Sequence, residues 1–163
     1  MLGHSNMRAT DSRSISPQLI ALCVFAAVGG VCSLVLPPYL TSGGLPQPAY
    51  GYPLIPWFAV AWANQRVTDS MICFLVLGFT SGIVQPRRCL LLAAVAMALP
   101  AVLNAVNILN DWRHDATSHN LFPFEFLFYA FICLPALVGA VLGFLSQRLW
   151  QRLRPAASQV TEL

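Results

Sequence analysis

Asn104, Asn107 and Asp111 stand at i, i+3 and i+7 in a largely apolar run, a spacing that brings all three to one face of a helix. An amide inside an apolar helix is costly unless it finds a partner, so such groups turn toward a bundle interior. Arg66 and Asp69, at i, i+3 and preceded by Asn64 and Gln65, form a second polar group. Two kinds of chemistry are open to Arg66, Asp69, Asn104, Asn107 and Asp111. They line a vestibule for an ion or polar solute, with Arg66 drawing in an anion. Alternatively, the amides clamp neighbouring helices and the charges pair at an interface, Arg66 with Asp69 or Asp111. The clamp is the simpler expectation.

A further concentration of polar groups is Asp111-Trp-Arg-His114-Asp115-Ala-Thr-Ser-His119. If helical, it would bring Asp111, Asp115 and His119 to one face with His114 beside them, and imidazole with carboxylate suits zinc, iron or manganese. The spacing of His114, Asp115 and His119 matches no metal signature, and Thr117–Asn120 reads as a turn and cap, so a hydrated loop is expected. There is no phosphate-binding glycine loop, nucleophile elbow, His-Glu-x-x-His or haem-attachment motif, so no enzyme class and no cofactor is indicated. Cys23, Cys32, Cys73, Cys89 and Cys133 lie in or beside apolar stretches without Cys-x-x-Cys spacing, and are expected to be inert thiols.

The elements that must position these groups are apolar. With 57% hydrophobic and 9% charged residues in 163, the chain is far from soluble composition, where about a quarter is charged. Four stretches, roughly 15–36, 68–85, 89–109 and 121–145, predict an all-α, four-helix transmembrane bundle. The second stretch is short unless it recruits residues from Trp57 onward, so the predicted helices are about 15–36, 57–85, 89–110 and 121–150. The first apolar run exceeds the about 7–15 residues of a signal-peptide core, so it reads as a retained span.

Seven of the nine arginines fall at alternate ends of these stretches: Arg8 and Arg13, then Arg87 and Arg88, then Arg148, Arg152 and Arg154. Basic connections stay on the cytoplasmic side, so both termini are expected there. Residues 1–14 are expected to be disordered, and 155–163 to form a tail beyond Pro155. Pro37-Pro38 is expected to end the first helix. Six of the twelve prolines lie between Pro37 and Pro56, so that connection should run extended on the outer side, with Tyr39, Tyr50, Tyr52 and Trp57 near the membrane interface. A chain without lysine and rich in Ala, Pro and Arg suits a GC-rich bacterial genome, which would make the membrane a bacterial inner membrane.

Gly78-x-x-x-Gly82 and Gly139-x-x-x-Gly143 are packing signals on the second and fourth helices. They could meet in a parallel crossing or serve a homodimer. Val76-Leu-Gly-Phe-Thr-Ser81 also resembles Val141-Leu-Gly-Phe-Leu-Ser146, which hints at duplication. The expected function is that of a non-enzymatic membrane component. Its partners would be the bilayer and either a homo-oligomer or a larger membrane complex. A small oligomeric transporter or channel is the alternative. Nucleic acid is excluded as a partner, because the arginines are parcelled out rather than clustered.

Overall fold

The computed structural model describes residues 16–42, 54–115 and 122–160. They form α1 (Pro17–Ser42), α2 (Pro56–Ala63), α3 (Val67–Val84), α4 (Cys89–His114) and α5 (Phe122–Val160). Among these residues there is no strand, and α1, α3, α4 and α5 are each long and apolar enough to cross a membrane. Large apolar side chains such as Phe25, Leu40, Leu127 and Phe131 point outward, as a lipid solvent requires. The described residues form an all-α bundle of five helices, four of them candidate membrane spans.

Two helices run further than their prolines suggest, and one is split. α1 continues through Pro37 and Pro38 to Ser42 rather than ending before them. Pro38 is fully buried, and the Thr41 hydroxyl bonds the Pro37 and Pro38 carbonyls at 2.9 and 3.2 Å. Packing and this local bond hold the turn, and in lipid an unwound backbone would leave still more groups unpaired. α5 likewise passes Pro155 and reaches Val160. A helix of 39 residues is about 58 Å long, nearly twice an apolar core of about 30 Å, so its end stands in water where a freed carbonyl is readily solvated.

The expected 57–85 helix breaks at Asn64–Arg66. Asn64 Nδ2 donates to the Val60 carbonyl at 2.9 Å, a local bond of the kind that competes with helix continuation. Gln65 Nε2 then reaches forward to Ser70 Oγ at 2.8 Å, across the start of α3. Residues 1–15, 43–53, 116–121 and 161–163 lie outside the described residues, and with them most of the expected outer loop and the N-terminal segment.

The bundle is rhombic. α3 and α4 touch across its short diagonal, α1 packs on both, and α5 packs on both from the other side. The most extensive seam joins α3 to α5, which run parallel. Gly78 faces the Ala136 carbonyl, Gly139 the Leu75 carbonyl, Gly82 the Ala140 carbonyl and Gly143 the Phe79 carbonyl. A Cβ at any of these would fall below 3.0 Å from partner backbone, so only glycine permits the approach. The hydrogen in each Cβ position points instead at a carbonyl oxygen, a Cα–H···O contact. Gly78 is thus paired by symmetry with Gly139 and Gly82 with Gly143. The sequence match aligns Gly78 with Gly143, one helical turn away, so packing does not follow it.

The α1–α4 seam uses the same device. Gly30 abuts the Ala96 carbonyl, which is the carbonyl that Pro100 leaves without its helical N–H donor.

Candidate functional site

The ends of the bundle differ in charge. Asp69, Asp111, Asp115 and Glu125 lie at one, with Arg66 and Arg113; Arg87, Arg88, Arg148 and Arg152 lie at the other. The candidate polar residues belong to the acidic end, around the short helix α2. Phe58, Val60 and Ala61 bury α2, and Trp62 packs on Phe128 and Tyr129 of α5 at ring separations of 6.3 and 5.8 Å.

Asn107 makes two hydrogen bonds to a residue far away in sequence. Its Oδ1 accepts from the Ile55 N–H at 2.8 Å, and its Nδ2 donates to the Ile55 carbonyl at 3.3 Å. The side chain thereby reads one residue's backbone as a strand partner would, just ahead of Pro56. It is 4% exposed, so water does not compete for either bond. Asn107 joins α4 to the start of α2.

Asn104 lies one turn earlier on the same face and is 5% exposed. Its Nδ2 has no hydrogen-bond partner among the described residues, and neither has Gln65 Oε1. Arg66 and Asp69 are joined at 3.1 Å on the surface, with side chains 52% and 45% exposed. Asp111 is half-buried near the end of α4, and its carbonyl accepts the Asp115 N–H at 2.8 Å. The five candidates thus divide into a buried amide pair on α4 and an exposed ion pair at the start of α3, with Asp111 at the rim.

The chain matches no family model, no curated protein and no solved structure. Its chemistry must be read from its own geometry.

Of the metal candidates, His114 and Asp115 are among the described residues. α4 ends at His114, and Asp115 is extended (φ −145°, ψ 104°), so the helical face proposed for Asp111, Asp115 and His119 is not continued. His114 Nδ1 lies 2.9 Å from the Asn110 carbonyl of its own helix, and His119 is outside the described residues. Among the described residues no group of three or more His, Cys, Asp or Glu side chains could hold an ion.

Sequence reasoning missed two polar contacts nearby. Tyr129 sits in an aromatic run and is 4% exposed, and its hydroxyl donates to the Met97 carbonyl, tying α5 to α4. Ser70, fully buried, receives the Gln65 amide. A tyrosine inside an apolar run was the available signal, since a buried phenol needs an acceptor. The cavities on apolar faces lie elsewhere. One of about 390 Å³ between α3 and α5 is walled by Met71, Leu75, Phe131 and Leu134, and another runs along α1 and α3 beside Phe25, Ile72 and Val76.

Proposed function

We propose that this chain is a non-enzymatic component of a bacterial plasma membrane, with both termini and the Arg87–Arg88 turn in the cytoplasm. It acts by offering a rigid apolar perimeter to a larger assembly. The observation that carries this reading is the pair of hydrogen bonds between Asn107 and the Ile55 backbone. The most favourably placed polar side chain of the acidic end is spent on holding its own fold. The glycine motifs point the same way, because they are consumed within the chain and leave the outer faces of the helices for partners.

A second reading, a small oligomeric transporter or channel, is favoured by one observation. Asn104 Nδ2 and Gln65 Oε1 are buried and have no hydrogen-bond partner among the described residues, and such atoms are commonly satisfied by water or a polar solute. Extraction of the tagged chain from its native membrane in gentle detergent, followed by native mass analysis, tests the two. A stoichiometric partner supports the accessory role. A bare homo-oligomer whose solute flux in liposomes is abolished by Asn104→Ala, with the fold intact, would replace it with the transporter reading.

A further inference from the structure

The arginine end holds a feature that the acidic end lacks. Arg148 and Arg152 stand one turn apart on the part of α5 that extends past the glycine seam, and Arg87 faces them from the turn between α3 and α4. Together with Gln147 and Gln151 they line a cleft of about 390 Å³. No carboxylate lines it, and the four acidic residues among those described all lie at the opposite end. The Arg148 guanidinium lies 5.0 Å from the centre of the Phe144 ring, a cation–π contact that orients the group without neutralising it.

On the other side of the same arginines is a second cavity, of about 490 Å³, completed by Leu145 and Leu149. Arg148, Arg152 and Phe144 form the wall common to both. A ligand reaching across that wall meets guanidinium and amide donors on one side and aliphatic side chains on the other. The level along the bundle also matters. Arg87 follows the last residue of α3 by three positions and precedes α4, so the cleft opens where the spans end and headgroups lie.

We propose that this cleft binds the headgroup of an anionic phospholipid. The phosphodiester lies among Arg87, Arg148 and Arg152, and the start of an acyl chain runs down past Leu149 and Leu145. Guanidinium presents paired N–H donors that match phosphate oxygens, and it is less strongly hydrated than an ammonium, which suits a half-dry interface. Charge complementarity selects an anionic lipid over a zwitterionic one. The aliphatic wall selects a lipid over a free anion.

The experiment uses the full chain in neutral detergent, titrated by native mass spectrometry with phosphatidylglycerol, phosphatidylcholine and inorganic phosphate separately. A basic residue near an anionic lipid strengthens binding about fivefold, so the wild type should prefer phosphatidylglycerol by on the order of a hundredfold. Arg148→Gln with Arg152→Gln should lower that preference at least about tenfold, and adding Arg87→Gln should abolish it. All three side chains line the rim of the bundle rather than its core, and circular dichroism of each variant checks its helices. Arg66→Gln, at the acidic end, controls for net charge and should leave the preference unchanged. Equal retention of both lipids overturns the proposal, as does an equal loss in Arg66→Gln. Binding of phosphate that matches or displaces phosphatidylglycerol overturns the lipid assignment in favour of a soluble anion.

Discussion

Gly78 and Gly139 face each other's helices across one seam, and substituting them singly and together tests whether that seam holds the bundle. A Cβ at Gly78 would meet the oxygen, carbon and Cα of Ala136, all within about 3.0 Å and none able to rotate away. A Cβ at Gly139 would meet Leu75 in the same manner. Ordinary contact begins at 3.4 Å, so the helices must part. An opening on the order of 1 Å forfeits up to about half of the dispersion attraction at each contact. Overpacking of this kind costs about 1–3 kcal/mol per site, and each lost Cα–H···O contact adds about 0.5–1 kcal/mol. Gly78→Ala or Gly139→Ala should therefore lower stability by roughly 1.5–4 kcal/mol.

The pair is more revealing than either single change. One outward movement of α5 relieves both clashes, so the double variant should cost at least about 1 kcal/mol less than the sum. Steric-trap or SDS-titration unfolding in mixed micelles measures all four corners of the cycle. Full additivity, or single losses below about 0.5 kcal/mol, would refute the backbone-contact seam.

Three further outcomes follow from the same geometry. Asn107→Ala leaves the Ile55 N–H and carbonyl unpaired in a buried place, and should lose about 1–3 kcal/mol in the same unfolding assay; an unchanged stability would remove the clamp. Gly30→Ala drives a methyl into the Ala96 carbonyl and should cost about 1–3 kcal/mol, with the loss seen as weakened protection of α1 amides in hydrogen exchange. Arg66→Ala should change stability by less than about 1 kcal/mol, and by less still in added salt, because the pair with Asp69 is about half exposed and readily screened; a loss of more than about 2 kcal/mol would mean that the pair is buried in the working assembly.

The four long apolar helices were legible because a bilayer would impose length and polarity on every span, and both are written in composition. The helix limits were less legible for a reason visible at Pro37 and Asn64. Proline reads as a stop in water, where an unwound chain hydrates freely, yet Pro38 is buried and the helix passes through it. Asn64 carries no strong breaking signal, yet its amide turns onto Val60 and Gln65 bridges to Ser70, which parts α2 from α3. The spacing of Asn104 and Asn107 showed that they share a face. It could not show that Ile55, 52 positions away, is the partner of one and that the Nδ2 of the other has none among the described residues.

The glycines explain why chemistry is hard to find in the centre of this molecule. Helices in lipid gain little from burying apolar surface against one another, so their contact must come from close backbone approach. Here that approach is taken to its limit along α3–α5 and again where Gly30 meets Ala96. Pro100 contributes to the second seam by freeing the Ala96 carbonyl, and Gly30 answers it with a Cα–H in place of the missing N–H. Along these seams two backbones touch and leave no room for a polar path. Ligands and partners must then meet the chain where the seams stop: at Asn104 Nδ2 and Gln65 Oε1, which have no partner among the described residues, on the outer perimeter, and in the arginine cleft where α5 outruns its neighbours. Of these, the arginine cleft alone combines several charges, an orienting ring and an aliphatic wall, so recognition by an outside molecule is most strongly built there.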